Sequence, residues 1–461
     1  MRENNNVMKL KLTLIAAFFI QITFAQKNCN ELYYQKFTKQ QLEQDIDFIK
    51  DKIVNAHVNP YTEISKSEFE KKYTDIRKSL KDGMTQKEFY YLAKPLIVTL
   101  NDEHSSMSDF CVTDSIKRSM KVLPLKFKYE NGKMLLTENY SDTQLNMGDE
   151  LLSLNNMPIH EVLETCAQTI PGAKEERIPI AVDRFWIMIN KFCYFITDDY
   201  NLKFKSGLQT VVKSISLEQL KANASKSQPK KKEDFKPLDY KKVNDYAYLT
   251  VNTFDDRNTF TKEEWKTKFD SIFTQIKNDN ANKLVIDVHN NSGGNSAVGN
   301  LLINYFSDKP YQTYQGKWKK SKEYAEYLKA NNKESAEYNK IKDGDYYPIR
   351  SRSVTADKNP LRFNGKTYVI VGKNTFSSAM MFSVMVLDNK LAEVVGEMPE
   401  KGHPNHFGEL INFQTPNTKL DFLFGVKEWI RPAGNIVPNK LIPTKAIDLS
   451  NKTREQIVEE L

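Results

Sequence analysis

The chain contains few of the residues that build metal centres and disulfide scaffolds. Its 461 residues include four cysteines and six histidines. The cysteines at positions 29, 111, 166 and 193 are widely spaced and fit no metal-ligand pattern. Their spacing is compatible with a disulfide such as Cys166–Cys193 and equally with buried free thiols. P-loop, H-E-x-x-H and G-x-S-x-G motifs are absent from the sequence. We therefore expect neither a metal nor a cofactor.

The sequence also lacks a hydrophobic run of the length that is typical of a membrane span. An apolar run from position 12 to 24 follows Lys9 and Lys11 and ends before Ala25. A charged start, a short apolar stretch and a small residue at the boundary are typical of a secretory signal peptide. We predict that residues 1–25 are removed and that the protein is exported, periplasmic or secreted, with no membrane span afterwards. A retained anchor is the alternative.

Charge gives little indication of a partner. The net charge is +8, and the lysines are scattered along the chain. The densest basic runs, residues 230–232 and 317–320, are not part of any nucleic-acid-binding motif. We expect solvated surface there and no nucleic-acid partner, and the sequence carries no signal for an oligomeric state.

The first part of the mature chain has helical periodicity. Thr38 and Gln41 have the spacing of a capping box. An apolar stripe follows at positions 42, 46, 49 and 53, and the helical pattern resumes over 67–80 and 85–100. These features predict an N-terminal helical domain over residues 30–110.

The next region changes to strand periodicity. Residues 122–129 alternate between apolar and polar, and Asn131-Gly132 is a typical hairpin turn. Residues 147–156, MGDELLSLNN, resemble the Gly-Asp, strand and Asn-Gly segment of PDZ domains. We predict a PDZ-like β domain over 120–220 and a lysine- and proline-rich linker over 221–240.

From residue 243 to 461, strands and helices alternate, which predicts an α/β core. Residues 246–251 place Ala247, Leu249 and Val251 on one face of a strand. The tyrosine- and lysine-rich stretch 307–362 interrupts the alternation. It is interpreted as an insertion over the core, with a disordered loop as the alternative.

Three segments carry residue types suited to acyl transfer. A buried strand ends in Gly293-Gly294, where a flexible backbone can offer amide groups to a ligand. Ser377 and Ser378 lie at a strand-to-helix turn, where unpaired amides and the helix dipole favour an oxyanion. The third segment holds His104, and histidine is the usual base for a serine nucleophile. Taken alone, either serine is also compatible with a simple helix cap.

Together the segments resemble the tail-specific (C-terminal processing) and tricorn-type serine peptidases. Residues 287–294, DVHNNSGG, resemble that family's Asp-x-Arg-x-Asn-x-Gly-Gly strand end, with His289 in place of arginine. Residues 375–382, TFSSAMMF, resemble its Thr-x-Ser-x-Ala-x-x-Phe turn, and Gly-Glu follows at 396–397. Residues 102–105, DEHS, resemble the Asp-x-His-Ser segment of the tricorn-like branch, which includes retinoid-binding-protein-like relatives. The resemblance implies a multi-domain protein: an N-terminal helical region, a PDZ-like domain and a crotonase/Clp-like α/β peptidase core.

The resemblance also implies roles for individual residues. Ser377 corresponds to the nucleophile and His104 to the base, and the backbone amides of Gly293, Gly294 and Ser378 would form the oxyanion hole. Alternative bases are Lys401, one place from the register of the lysine-dependent branch, and His406. The late acidic residue of the tricorn-type tetrad has no counterpart here, because the Pro-Asp of relatives is Pro438-Asn439.

Two functions follow as expectations. The first is an exported serine peptidase that cleaves peptide or unfolded protein substrates through an acyl-enzyme. The second is a catalytically weak or inactive binding protein on the same fold, which would bind an apolar ligand or a peptide. His289 and the unplaced acid motivate the second.

Overall fold

The computed structural model describes residues 29, 31–108, 118, 120–191, 198–227 and 235–461. The predicted signal peptide, Cys111 and Cys193 lie outside the described residues. In the described ranges the longer helices are Lys39–Ala56, Lys66–Ser79, Gln86–Val98, Ile159–Ala167, Lys174–Asp183, Phe185–Lys191, Leu217–Ser227, Lys262–Asn278, Ser296–Ile303, Lys322–Ala330 and Ser378–Asp388, with short helices at Ala336–Asn339 and Arg454–Glu459.

A six-stranded sheet forms the centre of the C-terminal core. Its strands, in spatial order, are Leu238–Val243, Tyr246–Val251, Lys283–Asp287, Lys366–Val371, Glu393–Gly396 and Lys445–Ala446. The first pair is antiparallel and the others are parallel. Parallel strands align their carboxyl ends on one edge, so the turns after Asp287 and Val371 lie side by side.

Helices cover both faces of this sheet, which explains why its central strands Tyr246–Val251, Lys283–Asp287 and Lys366–Val371 are largely buried. Ala247, Leu249 and Val251 pack against the helices Lys262–Asn278 and Ser378–Asp388. The tyrosines on the other face of the same strand pack with the Arg454–Glu459 helix. The prediction that Ala247, Leu249 and Val251 share one face of this strand is therefore confirmed, and the structure buries the opposite face as well.

A second sheet joins the insertion to the N-terminal helices. Its antiparallel strands are Tyr346–Ile349, Gln315–Lys319, Asp421–Ile430 and His406–Gln414, and the short strand Ser106–Met107 also pairs with Asp421–Ile430. The alternative of a disordered loop at 307–362 is wrong, because this stretch supplies two of these strands. It also buries Tyr324, Leu328 and Tyr338 against the N-terminal helices.

The N-terminal helices form as the sequence predicts. The capping box at Thr38 is present, since the Thr38 side chain accepts from the Gln41 amide and the Gln41 side chain accepts from Thr38. The stripe from Leu42 to Ile53 is fully buried. Burial of four large aliphatic side chains of this kind contributes roughly 1.5–3 kcal/mol each to folding.

The middle region is a β domain with helices on its hydrophobic core. Leu125–Glu130 and Lys133–Asn139 form the predicted hairpin, and Asn131 and Gly132 both adopt the positive φ of its turn. A four-stranded sheet follows the order Gln209–Lys213, Asp199–Phe204, Leu151–Leu154, Met157–Pro158. The described residues also form three short sheets, each made of two strands of two residues. They are Lys36–Phe37 with Met84–Thr85, Lys121–Val122 with Ile215–Ser216, and Tyr311–Gln312 with Ser353–Val354.

Two expectations for this region need correction. Cys166 is a buried free thiol in the domain core, so the Cys166–Cys193 disulfide is wrong, whereas Cys29 is disulfide-bonded. The stretch 221–240 is not an extended linker throughout, since the Leu217–Ser227 helix enters it and the Leu238–Val243 strand begins within it. The helix forms because apolar spacing continues past Leu220, which is buried.

Among the residues that the structure describes, no helix combines the length and the apolar composition that crossing a bilayer needs.

Candidate active site

Ser377 lies in a constrained turn between the Lys366–Val371 strand and the Ser378–Asp388 helix. Thr375 fixes the turn: its hydroxyl accepts from the Gly372 amide at 2.9 Å and donates to the Val288 carbonyl at 2.9 Å. Ser377 itself has φ 52° and ψ −122°. A positive φ in a residue with a side chain costs free energy and clusters at functional sites, because it aims the side chain where a relaxed turn would not.

The Ser377 hydroxyl does not cap the helix. Ser377 occupies the N-cap position, but its side chain accepts no hydrogen bond from the helix amides. Its Oγ instead lies 3.2 Å from Nε2 of His104. The cap interpretation is therefore wrong for Ser377, and the hydroxyl lies within hydrogen-bonding distance of an imidazole nitrogen.

His104 reaches this position because the chain on either side of it is anchored. It follows the end of the Gln86–Val98 helix, and Ser106–Met107 pairs with Leu423 and Phe422 in the second sheet. The ring of Phe376 stacks on the His104 ring with centroids 4.9 Å apart. These contacts hold the imidazole beside a serine that is 273 residues away in sequence.

Asp102 completes a chain of three polar side chains. Its Oδ1 lies 3.2 Å from Nδ1 of His104, and only 2% of the Asp102 side chain is exposed. The Ser105 hydroxyl donates to the other carboxylate oxygen at 3.4 Å. The sequence motif includes Asp102, but the resemblance to the tricorn-type peptidases leads one to expect the acid late in the chain. The available signal was the Asp-x-His spacing, because a tight turn lets a carboxylate reach the ring two residues later.

The protonation equilibrium of His104 follows from these neighbours. Burial lowers the pKa of His104, but the hydrogen bond and the charge of Asp102 together with the charge of Glu103 outweigh it, so its pKa is raised above 6.5. A carboxylate at Nδ1 directs the Nδ1 proton toward itself and leaves the Nε2 lone pair facing Ser377.

The glycine turn lies directly against Ser377. A Cβ on Gly293 would come 2.8 Å from the Ser377 Cβ and 2.9 Å from the Ser378 nitrogen, and Gly293 has φ 104°. Asn291, which is fully buried, anchors this turn: its Oδ1 accepts from the Gly293 amide at 2.8 Å and its Nδ2 donates to Val251 at 3.1 Å.

The three amides predicted for an oxyanion hole are therefore not equivalent. The Gly293 amide is already bonded to Asn291. Within the part of the chain that the structure describes, the amides of Gly294 and Ser378 have no intramolecular acceptor. The Ser378 hydroxyl donates to the Gly294 carbonyl at 2.8 Å, which holds these two residues together.

The two alternative bases are placed differently. His406 lies beside His104, with ring centroids 5.7 Å apart, and its Nδ1 lies 3.1 Å and 3.2 Å from the carbonyl oxygens of His403 and Pro404. Burial and the neighbouring His104 lower the pKa of His406 to about 4. Lys401 makes no hydrogen bond or ion pair with any residue that the structure describes. Of the three candidates, only His104 hydrogen-bonds to Ser377 within the described ranges.

A cluster of charged side chains beside the site connects the middle domain to the loop that carries Asp102 and His104. His403 Nε2 lies 3.3 Å from Glu103 and 4.0 Å from Glu176, which is on the Lys174–Asp183 helix. Despite burial, the Glu103 carboxylate raises the pKa of His403 to about 9. Glu103 also accepts from the Gly402 amide at 3.3 Å. The cluster therefore supports the loop that carries Asp102 and His104.

Comparison with known proteins agrees with this architecture. Residues 245–409 match peptidase family S41, and residues 119–184 match the PDZ domain. No curated protein sequence matches the chain.

Among solved structures, mature CPAF is similar with a TM-score of 0.56 and 15% identity, over 88% of this chain and 92% of that one. Mature CPAF complexed with lactacystin gives a TM-score of 0.57 and 15% identity, over 88% and 94% of the two chains. At this identity the likeness shows the fold. The chain thus combines an N-terminal helical region, a PDZ domain and a peptidase domain of family S41.

Proposed function

We propose that the protein is a serine peptidase that uses Ser377 as nucleophile and His104 as general base. The observation that carries the proposal is the continuous line of contacts from Ser377 to His104 to Asp102, at 3.2 Å for each step. It occurs on a domain that matches a peptidase family. The substrates would be peptides or unfolded proteins.

The reaction follows from the positions of these groups. Ser377 Oγ forms a bond to the peptide carbonyl carbon while its proton passes to His104 Nε2. The carbonyl oxygen becomes an oxyanion, and the free amides of Gly294 and Ser378 are the donors available to it. One such donor contributes roughly 10²–10³ in rate.

Collapse of that intermediate breaks the carbon–nitrogen bond, and the leaving amine takes the proton from His104. A water molecule then gives its proton to His104 and attacks the ester, which releases the acid and restores Ser377. Asp102 keeps the His104 ring in the required tautomer and stabilises the imidazolium. Gly293 serves by its small size, because any side chain there would collide with Ser377.

Export to the periplasm or the cell exterior remains part of the proposal. It rests on the charged and apolar pattern of residues 1–25, which lie outside the described residues.

One of the two arguments for the binding-protein alternative does not apply in this structure. It depended on an acid that could not be placed, and Asp102 now offers a carboxylate at Nδ1 of His104. The other argument was His289, whose Nδ1 pairs with Asp287 at 2.6 Å as a local contact within the glycine turn. No contact of the described residues favours that alternative.

Fluorophosphonate labelling tests the proposal. The intact protein should take up the probe, Ser377→Ala should abolish labelling, and Ser79→Ala, which changes an exposed serine at a remote helix end, should label normally. Cleavage of an unstructured protein should follow the same order. Equal labelling of Ser377→Ala and the unaltered protein would refute the assignment.

A further inference from the structure

A cavity of about 860 Å³ lies near the proposed nucleophile. Met381 and Met385 of the Ser378–Asp388 helix form part of its wall, and Asn300 comes from the helix that follows the glycine turn. The Met381 amide bonds to the Ser377 carbonyl at 2.9 Å, so this wall residue lies one helical turn from Ser377. A volume of this size suits a peptide segment rather than one side chain.

Three residues that line this cavity each carry a buried polar atom with no hydrogen-bond partner among the described residues. The atoms are Asn300 Oδ1, Tyr314 Oη and Trp318 Nε1. Tyr314 is only 4% exposed. Leaving a buried polar group unpaired costs about 1–3 kcal/mol, so a small side-chain shift that turned the Tyr314 hydroxyl or the Trp318 indole N–H toward a ligand would recover that cost.

The charge of the cavity has one sign. Arg350 and Arg352, both exposed, line it from the insertion, and no acidic residue does. Neither guanidinium has an ion-pair partner among the described residues. Asp388, whose charge is felt by Tyr314, is itself bonded to Arg431 at 2.9 Å. The cavity is therefore electropositive and its charge is uncompensated.

The cavity is also connected to the proposed base through aromatic rings. The Tyr314 ring contacts the His406 ring with centroids 6.2 Å apart, and the His406 ring contacts that of His104 at 5.7 Å. A peptide in the cavity would thus lie alongside the reacting groups.

On the basis of the proposed peptidase function, we propose that this cavity binds an acidic segment of the peptide substrate next to the scissile bond. An indole N–H and a phenol O–H both donate to a carboxylate, and guanidinium groups bind carboxylates through charge-assisted pairs. Met381 and Met385 provide apolar contact for the methylene groups. Arg350, Arg352, Tyr314 and Trp318 would then determine which peptides are cleaved.

A binding experiment tests this without relying on turnover. Ser377→Ala protein would be titrated with fluorescein-labelled unstructured peptides that are identical except for consecutive Glu, Gln or Lys residues, with fluorescence anisotropy as the readout. We expect the Glu peptide to bind about tenfold or more tightly than the Gln peptide, with the difference shrinking as salt rises. The Lys peptide should bind most weakly.

Variants then locate the effect. Arg350→Glu with Arg352→Glu should reverse the order of the Glu and Lys peptides, and Tyr314→Phe should weaken binding of the Glu peptide several-fold. Arg184→Glu, which changes an exposed arginine in the middle domain, should leave the preference unchanged.

Two results would overturn the inference: equal binding of the three peptides, or an unchanged preference in the double arginine variant. Neither depends on the chemistry at Ser377. Conversely, a protein that prefers the Glu peptide but takes up no fluorophosphonate would refute the peptidase mechanism and keep the acidic-segment site.

Discussion

Ser377 Oγ lies 3.2 Å from His104 Nε2, and the two residues belong to separate structural units. The serine belongs to the six-stranded α/β core, whereas the histidine lies between the N-terminal helices and the second sheet. Any change that shifts these units relative to each other should therefore affect the reaction before it affects the fold.

The first prediction separates the three candidate bases. His104→Ala should reduce kcat/KM by roughly 10²–10⁴, because the proton acceptor is lost. Lys401→Met should stay close to the unaltered protein, since Lys401 contacts none of the described groups at the site. Steady-state cleavage of an unstructured protein provides the measurement. A larger loss in Lys401→Met than in His104→Ala would favour the lysine mechanism.

The second prediction concerns pH. His104 must be neutral to accept a proton, and its pKa is raised above 6.5 by Asp102 and Glu103 in spite of burial. Activity should therefore fall as the pH is lowered through a midpoint above 6.5. Asp102→Asn should move that midpoint down and lower kcat by about 10²–10⁴, since the ring loses its fixed tautomer. The pH profile of kcat/KM measures both effects, and an unmoved midpoint would contradict the role given to Asp102.

The third prediction compares two glycines that both have a positive φ. Gly293 and Gly207 both have positive φ, 104° and 94°, but a Cβ would collide with Ser377 only at Gly293. Both Gly→Ala variants should lose about 1 kcal/mol or more of stability from strain. Only Gly293→Ala should also lose fluorophosphonate labelling, by at least about tenfold, because it displaces the nucleophile. Parallel losses in the two variants would show that the Gly293 contact is structural alone.

The fourth prediction concerns stability at alkaline pH. The pKa of His403 rises from 6.5 to about 9 in the folded protein, because its ion pair with Glu103 outweighs the effect of burial. A raised folded pKa stabilises the protein fully below pH 6.5, and the contribution disappears as the pH rises through 9. The shift corresponds to at most roughly 3 kcal/mol.

The apparent Tm should consequently fall between pH 6.5 and pH 9, and His403→Gln should reduce that fall. His160→Gln is the matched control, because His160 is 72% exposed on the surface. If the Tm of His403→Gln follows the same pH course as that of the unaltered protein, His403 contributes no linked stability.

Local features of the fold were predictable because local interactions decide them. Capping at Thr38, the hairpin at Asn131 and the buried strand at Ala247 depend on neighbours a few residues away. The insertion was not predictable in this way. Its strand Gln315–Lys319 pairs with Asp421–Ile430, about a hundred residues downstream, and no local pattern indicates that partner.

The candidate site shows the same difference between local and long-range features. Motif order was sufficient to select Ser377, His104 and the glycine turn as candidates, and their roles stay predictions until the variants are measured. The spacing of the motifs alone assigned no role to Asp102. It assigned the backbone amides of Gly293 and Gly294 the same role, that of oxyanion-hole donors. The difference between the glycines arises from Asn291, whose side chain occupies one of the two amides.

The sequence by itself determined which residue types were available and which strands and helices would carry them. Their arrangement as reacting partners was decided by the tertiary structure, because a hydrogen bond at 3.2 Å between residues 273 positions apart depends on how two sheets and their helices pack. The electropositive cavity has the same origin. Arg350, Tyr314 and Met381 share no sequence motif, and only long-range packing brings them to one wall.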